Sequence, residues 1–260
     1  MYNALTKTIP AQTCPEAWVA TAEHLLSQPK HEAYYLTLAI ESPEKMRPSD
    51  FNVHDHVEAF LRSYSKAPIA TVAGTIFPAN YYSREGAKGV FEDFPETFGK
   101  IRRRSGGPFY AMRMLRREGK EGMINPLKDL VEKLSNNKKH FRSAYEVSVA
   151  EDDSFELPLY QVEKDRRLLR RQPCLSHLSF KVYVDGSLTL AAMYRSHYYI
   201  SKAFGNLIGL AQLQSFVAAE AGLKVGPLIC YSTHARIDTN PWKISDIRKL
   251  ISTCRATLSD

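Results

Sequence analysis

The sequence predicts an α/β chain (in the α+β sense), a mixed β-sheet covered by helices, built as one domain over residues 1–260. Three observations carry this. Strand-like and helix-like segments interleave along the whole length, with no internal repeat and no low-complexity linker, which favours one layered domain over a string of modules. Leu178–Val184 alternates apolar Leu178, Phe180, Val182 and Val184 with Ser179, Lys181 and Tyr183, then meets Asp185-Gly186, the preferred pair for a type I′ hairpin, and returns as Ser187–Tyr194. Residues 204–221 are apolar on most sides, as befits a central helix, and Gly222 is suited to end it.

The other elements follow in order. Residues 1–30 read as a helical entry in which Trp18, Ala22, Leu25 and Leu26 share a face. Ala33–Ile40 is rich in aromatic and aliphatic residues, hence a buried strand. Ser49 is the expected N-cap of a helix through Leu61 that carries Asp55, His56 and Glu58. Residues 68–78 read as extended, closed by Pro78, and 84–104 as helix interrupted at Pro95. Gly106-Gly107-Pro108 is a break, residues 109–118 resume as helix, and Asn125-Pro126 opens another. Arg142–Val149 and Leu228–Tyr231 are expected strands, with Glu151-Asp152-Asp153 an exposed turn, and Ile244–Leu258 a final amphipathic helix.

At 260 residues, 44% hydrophobic and 24% charged, the chain has the makeup of an ordinary globular protein with a full core. No N-terminal apolar segment of signal-peptide type and no bilayer-length run is present, so the expectation is a cytoplasmic protein and no membrane role. Cys14, Cys174, Cys230 and Cys254 stand far apart without metal-ligand spacing, which predicts reduced thiols, no disulfide framework and no metal site. The net charge of +7 points to anionic partners. Basic runs such as Arg102-Arg103-Arg104 and Arg166–Arg171 carry much of it; a solvated face is their other reading. Nucleotides are favoured as the partner, with nucleic acid ranked behind.

The residues able to do chemistry cluster in one stretch. Pro173-Cys174 offers a thiol, Arg195-Ser196 a guanidinium fork with a hydroxyl, Asn206 an amide and His234 an imidazole. A thiolate suits addition to an electron-poor ring when a cation lowers its pKa, and Arg195 or the Arg170-Arg171 pair could supply that charge. Arginine matches phosphate oxygens in a fork geometry. Each residue also has a plain alternative: a buried structural cysteine, a surface arginine, a helix-capping asparagine.

These pieces, in order, resemble the thymidylate synthase family. Pro173-Cys174 is similar to its nucleophile motif, Arg195-Ser196 with Asn206 to its Arg-Ser…Asn segment (Gly205 replacing a phenylalanine), and Thr233-His234 to part of its sugar-binding strand. Gly107-Pro108-Phe109-Tyr110 and Lys138-Lys139 followed by Ser143-Ala144-Tyr145 match two further motifs, with lysines in place of arginines. The resemblance covers residues 107–236 and leaves 1–106 divergent. It implies that Cys174 attacks C6 of a pyrimidine 5′-monophosphate such as dUMP, that Arg195 and Ser196 grip the phosphate, and that Asn206 reads a uracil edge. It further implies that His234 binds the sugar, that Tyr110 assists proton removal at C5, and that Glu58 organises water. Lys138 and Lys139 would reach the phosphate of a second subunit, making a homodimer through one face of the sheet. Arg236 stands where the family has a second sugar-binding tyrosine, so a ribose or deoxyribose is left open.

The cofactor implied is 5,10-methylenetetrahydrofolate, for methyl or hydroxymethyl transfer. The folate side departs from the pattern: Tyr198 replaces an aspartate, Lys202 a glycine, Trp18 and Trp242 are the only tryptophans, and the chain past His234 is shorter than the family's folate-closing segment. An unusual electrophile, or none, is the alternative, as is a nucleotide-binding sensor without catalysis.

Overall fold

The computed structural model describes residues 6–101, 110–119, 122–136, 156–159 and 173–259. Among them seven strands form a mixed sheet. Its order is β1 (Lys7–Ala11), β2 (Glu32–Ile40), β9 (Lys224–Arg236), β7 (Ser187–Tyr194), β6 (Leu175–Val182) and β5 (Glu156–Pro158), with the short β8 (His197–Tyr198) also on β9. The β1–β2, β7–β9 and β8–β9 pairs are parallel and the other pairs antiparallel. Arg117–Gly119 (β3) and Gly122–Ile124 (β4) form a separate two-stranded ribbon.

Side chains alternate across the pleat, which gives the sheet two unlike faces. Leu36, Leu38, Leu190, Leu228 and Cys230 are buried, and this face meets helices α1 (Cys14–Ser27) and α8 (Phe204–Glu220). Each such aliphatic side chain taken fully out of water contributes about 1.5–3 kcal/mol. The alternate set, Thr37, Ala39, Ala191, Met193, Ile229 and Tyr231, is only half-buried or exposed. Gln214 pins α8 to the sheet: its buried Nε2 donates to Leu188 O (2.7 Å) and Gly226 O (2.8 Å), on neighbouring strands.

Several elements stand as expected. Trp18, Ala22, Leu25 and Leu26 form the buried face of α1. Asn125 Oδ1 accepts from Lys128 N at 3.1 Å at the head of α7 (Pro126–Asn136). Beyond α8, Gly222 takes φ +68°, and Leu223 N donates back to Ala218 O at 2.8 Å, closing the helix. The last helix, α9, is Ile244–Ser259.

Others differ. Residues 7–11 are a strand, not helix; Pro10 is tolerated there because β1 lies at the sheet edge. Helix α2 (Pro48–Ser63) starts before Ser49: Pro48 occupies the first turn, and the Asp50 carboxylate accepts the Arg47 backbone N–H at 2.8 Å. The extended reading of residues 68–78 fails, since Ile69–Gly74 is helix α3. Its β-branched residues suggest a strand, but packing on α8 overrides that propensity. Pro95 interrupts nothing: it is the second residue of α5 (Phe94–Ile101), and the helix runs on through it. The break lies upstream at Gly86, φ +60°, within α4 (Ala79–Lys88), followed by a π turn over Gly89–Asp93. The 109–118 helix is short, α6 (Tyr110–Leu115), before β3 begins.

At the hairpin, Gly186 alone has positive φ (+78°), and its N–H bonds to Tyr183 O at 3.0 Å. The central pair of that turn is therefore Val184-Asp185 rather than Asp185-Gly186, and a type I′ turn, which needs two positive φ values, is not formed. Strand β9 is far longer than Leu228–Tyr231. The expected strand 142–149, the acidic turn 151–153, the Gly106–Phe109 break, Lys138, Lys139 and the basic runs 102–104 and 166–171 lie outside the described residues.

Two glycines explain how α3 reaches α8. A Cβ at Gly205 would sit 2.6 Å from Val72 Cβ, and one at Gly209 would sit 2.7 Å from Ala73 O. Alanine at Gly209 would gain up to about 1 kcal/mol of helix propensity. It would lose about 1–3 kcal/mol by pushing a backbone away, so the clash wins. Gly209→Ala should therefore lower the Tm in a thermal melt by about 2–4 °C per kcal/mol of net loss. Gly74→Ala, where a Cβ would meet nothing within 4 Å, should not lower it.

Candidate active site

Four neighbouring strands bring the chemistry-bearing residues to one end of the sheet. Cys174 immediately precedes β6, Arg195 follows β7, His234 and Arg236 end β9, and Glu32 begins β2. Between β7 and β8 the strand is interrupted at Arg195-Ser196, yet the register is kept, with Tyr194 opposite Ser232 and His197 opposite Ala235. Thr233 Oγ1 spans the gap, donating to Arg195 O at 2.9 Å.

Cys174 is held by its backbone. Its N–H donates to Tyr110 Oη (3.1 Å), as does that of Leu175 (3.4 Å), while Arg195 N donates to Cys174 O at 2.9 Å. Arg195 Nε donates to Pro173 O at 2.9 Å, which folds the guanidinium beside the thiol. Burial pushes the Cys174 thiol above its ordinary value, and the Arg195 charge pulls against that rise. Tyr110 is buried, which pushes its phenol upward, so it stays protonated at neutral pH. The structure thus brings Cys174, Tyr110 and Arg195 together. Cys14, Cys230 and Cys254 are buried free thiols, all pushed up by burial, Cys230 and Cys254 to about 12.

Asn206 lies in the first turn of α8, buried, with Nδ2 donating to His197 Nε2 at 3.0 Å. The other ring nitrogen, Nδ1, is 3.1 Å from Ser232 Oγ. His197 stacks on Tyr194, centroids 4.1 Å apart and planes within 3°. Burial pulls its pKa down to about 3, so the ring is neutral. The loop from β8 into α8 is fixed on both sides. Asp238 accepts from Ile200 N (2.8 Å) and Ser201 N (3.2 Å), and Trp18 Nε1 donates to Tyr199 O at 2.9 Å.

His234 faces β2: its Nε2 lies 3.2 Å from Glu32 Oε2, and its ring stacks on Tyr34. Arg236 donates to Tyr198 Oη at 2.7 Å with its guanidinium 4.6 Å from that ring. Arg236 and Tyr198 line a cleft of about 480 Å³ with Lys30, Glu32, Ser201 and Asp238. Glu58 has a different setting: Oε2 accepts from Ile69 N at 2.9 Å, capping α3, and Arg62 lies 3.8 Å from its other oxygen. Its side chain thus meets α3, which in turn packs on α8. Among the described residues no group of three His, Cys, Asp or Glu is placed to hold a metal ion, and no helix is long and apolar enough to cross a membrane.

His197, Ser232, Tyr194 and Glu32 are site neighbours that sequence reading passes over. His197 directly follows the Arg195-Ser196 pair, and a histidine between a polar pair and the apolar run from Tyr199 is a signal for a buried, partnered ring. Glu32 has no local signal, because only the β2–β9 register brings it to His234.

Three archaeal relatives carry the name "Putative thymidylate synthase". The protein of Methanothermobacter thermautotrophicus (strain Delta H) is 42% identical over 65 residues, 25% of this chain and 29% of that protein. That of Methanococcoides burtonii is 29% identical over 130 residues, 50% of this chain and 54% of its own length. That of Methanothermobacter marburgensis is 40% identical over 65 residues, again 25% and 29%. The chain thus spans about half the length, or less, of the curated relatives it matches. No family model matches. These similarities, partial and of modest identity, suggest a thymidylate synthase-like family.

Alkylation separates the thiols. Cys174, half-exposed, should be the cysteine that iodoacetamide modifies in the native protein. Its rate should climb with pH through a midpoint above the ordinary value of about 8.5, since burial disfavours the thiolate. Arg195→Ala removes the cation that favours the thiolate and should move that midpoint higher still.

Proposed function

We propose a thymidylate synthase-like enzyme that activates C5 of a uracil-type nucleoside 5′-monophosphate. The observation that carries this is the half-exposed Cys174 with its backbone fixed by Tyr110 and Arg195 beside it. As thiolate, Cys174 adds to C6: the S–C6 bond forms, and the C5=C6 π electrons pass to C5 and the O4 carbonyl. C5 then attacks an electrophile or takes up a proton. Loss of the original C5 proton restores the double bond and expels the thiolate. Arg195 and Ser196 bind the phosphate, Asn206 the base edge, His234 and Arg236 the sugar side. Tyr110 assists the proton transfer, and Glu58 acts at a distance by holding α3.

The names of the relatives are consistent with 5,10-methylenetetrahydrofolate as one-carbon donor. The residues on that side fit it poorly: Tyr198 stands for the expected aspartate, and its hydroxyl is taken by Arg236, so the pair offers no carboxylate to the N–H groups of a pterin. No step is derived through folate, and methyl and hydroxymethyl transfer stay level as outcomes.

As partner we propose a second copy, docked on the half-buried sheet face of Thr37, Ala39, Ala191, Met193, Ile229 and Tyr231, with Lys138 and Lys139 reaching across to its phosphate. One domain over residues 1–260 and a cytoplasmic setting belong to the same reading. Sedimentation equilibrium should return twice the 29.5 kDa chain mass. Met193→Asp in that face should return the monomer, and a wild-type monomer would end the dimer proposal.

The upward push on the Cys174 pKa favours one other reading, a nucleotide-binding protein that does not turn over. Release of tritium from 5-tritiated dUMP, UMP, dCMP and CMP, each with and without methylenetetrahydrofolate, decides between them. The expected result is release from a uracil nucleotide that Cys174→Ser abolishes while nucleotide affinity stays within about threefold, less than 1 kcal/mol. Absence of release from all four, with nucleotide still bound, would leave the binding protein.

A further inference from the structure

We infer that His197, through its tautomer, sets which pyrimidine the base pocket accepts. The inference rests on the proposed role of Asn206 as the residue that meets the base. An asparagine amide presents an acceptor and a donor side by side. With one orientation the oxygen accepts uracil N3–H and the nitrogen donates to O4; rotated by half a turn, the same group matches the N3 acceptor and amino donor of cytosine. The amide alone therefore does not discriminate, and something must hold its orientation.

Asn206 is buried in the first turn of α8, and its one side-chain hydrogen-bond partner among the described residues is His197. The contact joins Asn206 Nδ2 to His197 Nε2 at 3.0 Å. With the amide nitrogen on this side it can only donate, so Nε2 then carries its lone pair and not a proton. The ring is neutral in its buried site, so its single proton is on Nδ1, directed at Ser232 Oγ 3.1 Å away. Parallel stacking on Tyr194 fixes the plane of the ring, and a half-turn within that plane would break the contacts of both ring nitrogens. In this state one amide hydrogen is committed to His197, the second is left for a carbonyl oxygen, and Oδ1 is left for an N–H. That is the complement of uracil. The opposite tautomer, Nε2–H, would draw Oδ1 to itself, turn the amide and present the complement of cytosine. His197 is thus a positioning residue for specificity, and Ser232 supports its tautomer.

Two measurements test this on the intact protein. Nitrogen-15 NMR of the imidazole, assigned by its loss in His197→Gln, should show the Nδ1–H tautomer, unchanged between about pH 5 and 8, where an ordinary histidine titrates. Observation of the Nε2–H form would overturn the inference without any ligand. Separately, the ratio of dUMP to dCMP affinity, and of UMP to CMP, is read by calorimetry. His197→Phe keeps a flat ring on Tyr194 but offers no acceptor, and should cut the preference for uracil at least about tenfold. Ser232→Ala, a smaller change that guards against misfolding of the first variant, should cut it severalfold while overall nucleotide affinity is kept through the phosphate. A preference unchanged in both variants would also overturn the inference. Asn206→Ala reports on the reading beneath it: if that variant keeps both affinity and preference, Asn206 does not meet the base, and the proposed function fails at that residue whatever the His197 tautomer.

Discussion

Strand β9 is the constraint on which the rest depends. It is hydrogen-bonded to β2 on one side and to β7, then β8, on the other, so both its edges are committed over most of its length. A backbone group buried without a partner costs as much as a lost hydrogen bond or more, so a central strand tolerates little displacement. Everything placed on its C-terminal end inherits that rigidity. Ser232, Thr233, His234 and Arg236 each meet a different neighbour: His197, Arg195, Glu32 and Tyr198.

The interruption after β7 works with this. The ladder on β9 stops at Ser232 and resumes at Ala235 in the same register, so Arg195 and Ser196 are released from pairing without shifting the residues on either side. Such local breaks in an otherwise regular ladder re-aim side chains at functional ends of sheets. Arg195 uses its freedom to turn back on Pro173 and so comes beside the thiol. The surroundings of Cys174 and of His197 are therefore both set against one strand, with the Arg195-Ser196 gap between them.

Much of this was legible in the sequence where the signal is local. The periodicity of Trp18, Ala22, Leu25 and Leu26, the Asn-Pro start of α7 and the alternation of Leu178, Phe180 and Val182 each rest on neighbours a few residues apart. Cys174, Tyr110 and Arg195 stand out in the sequence for another reason, as parts of short motifs, and the structure sets them side by side. What stayed hidden depends on distant partners. The length of β9 was obscured by Pro227 and its run of Ser, Thr and His, which only pairing on both edges makes strand. The helicity of Ile69–Gly74 follows from two glycines more than a hundred residues later. The cap that Glu58 places on the start of α3 is of the same kind, since its partner Ile69 lies eleven residues on.

That last contact has a mechanical corollary. The carboxylate of Glu58 fixes the N–H of Ile69, and the carbonyl of the same residue lies against Gly205, immediately before Asn206. With no side chain between them, the two backbones meet directly, and a close-packed contact of this kind has little room to absorb a shift at either end. The surface end of this linkage thus acts as a calibration point for the buried amide. A substitution at Glu58 would therefore be felt in the setting of Asn206 as well as at the start of α3.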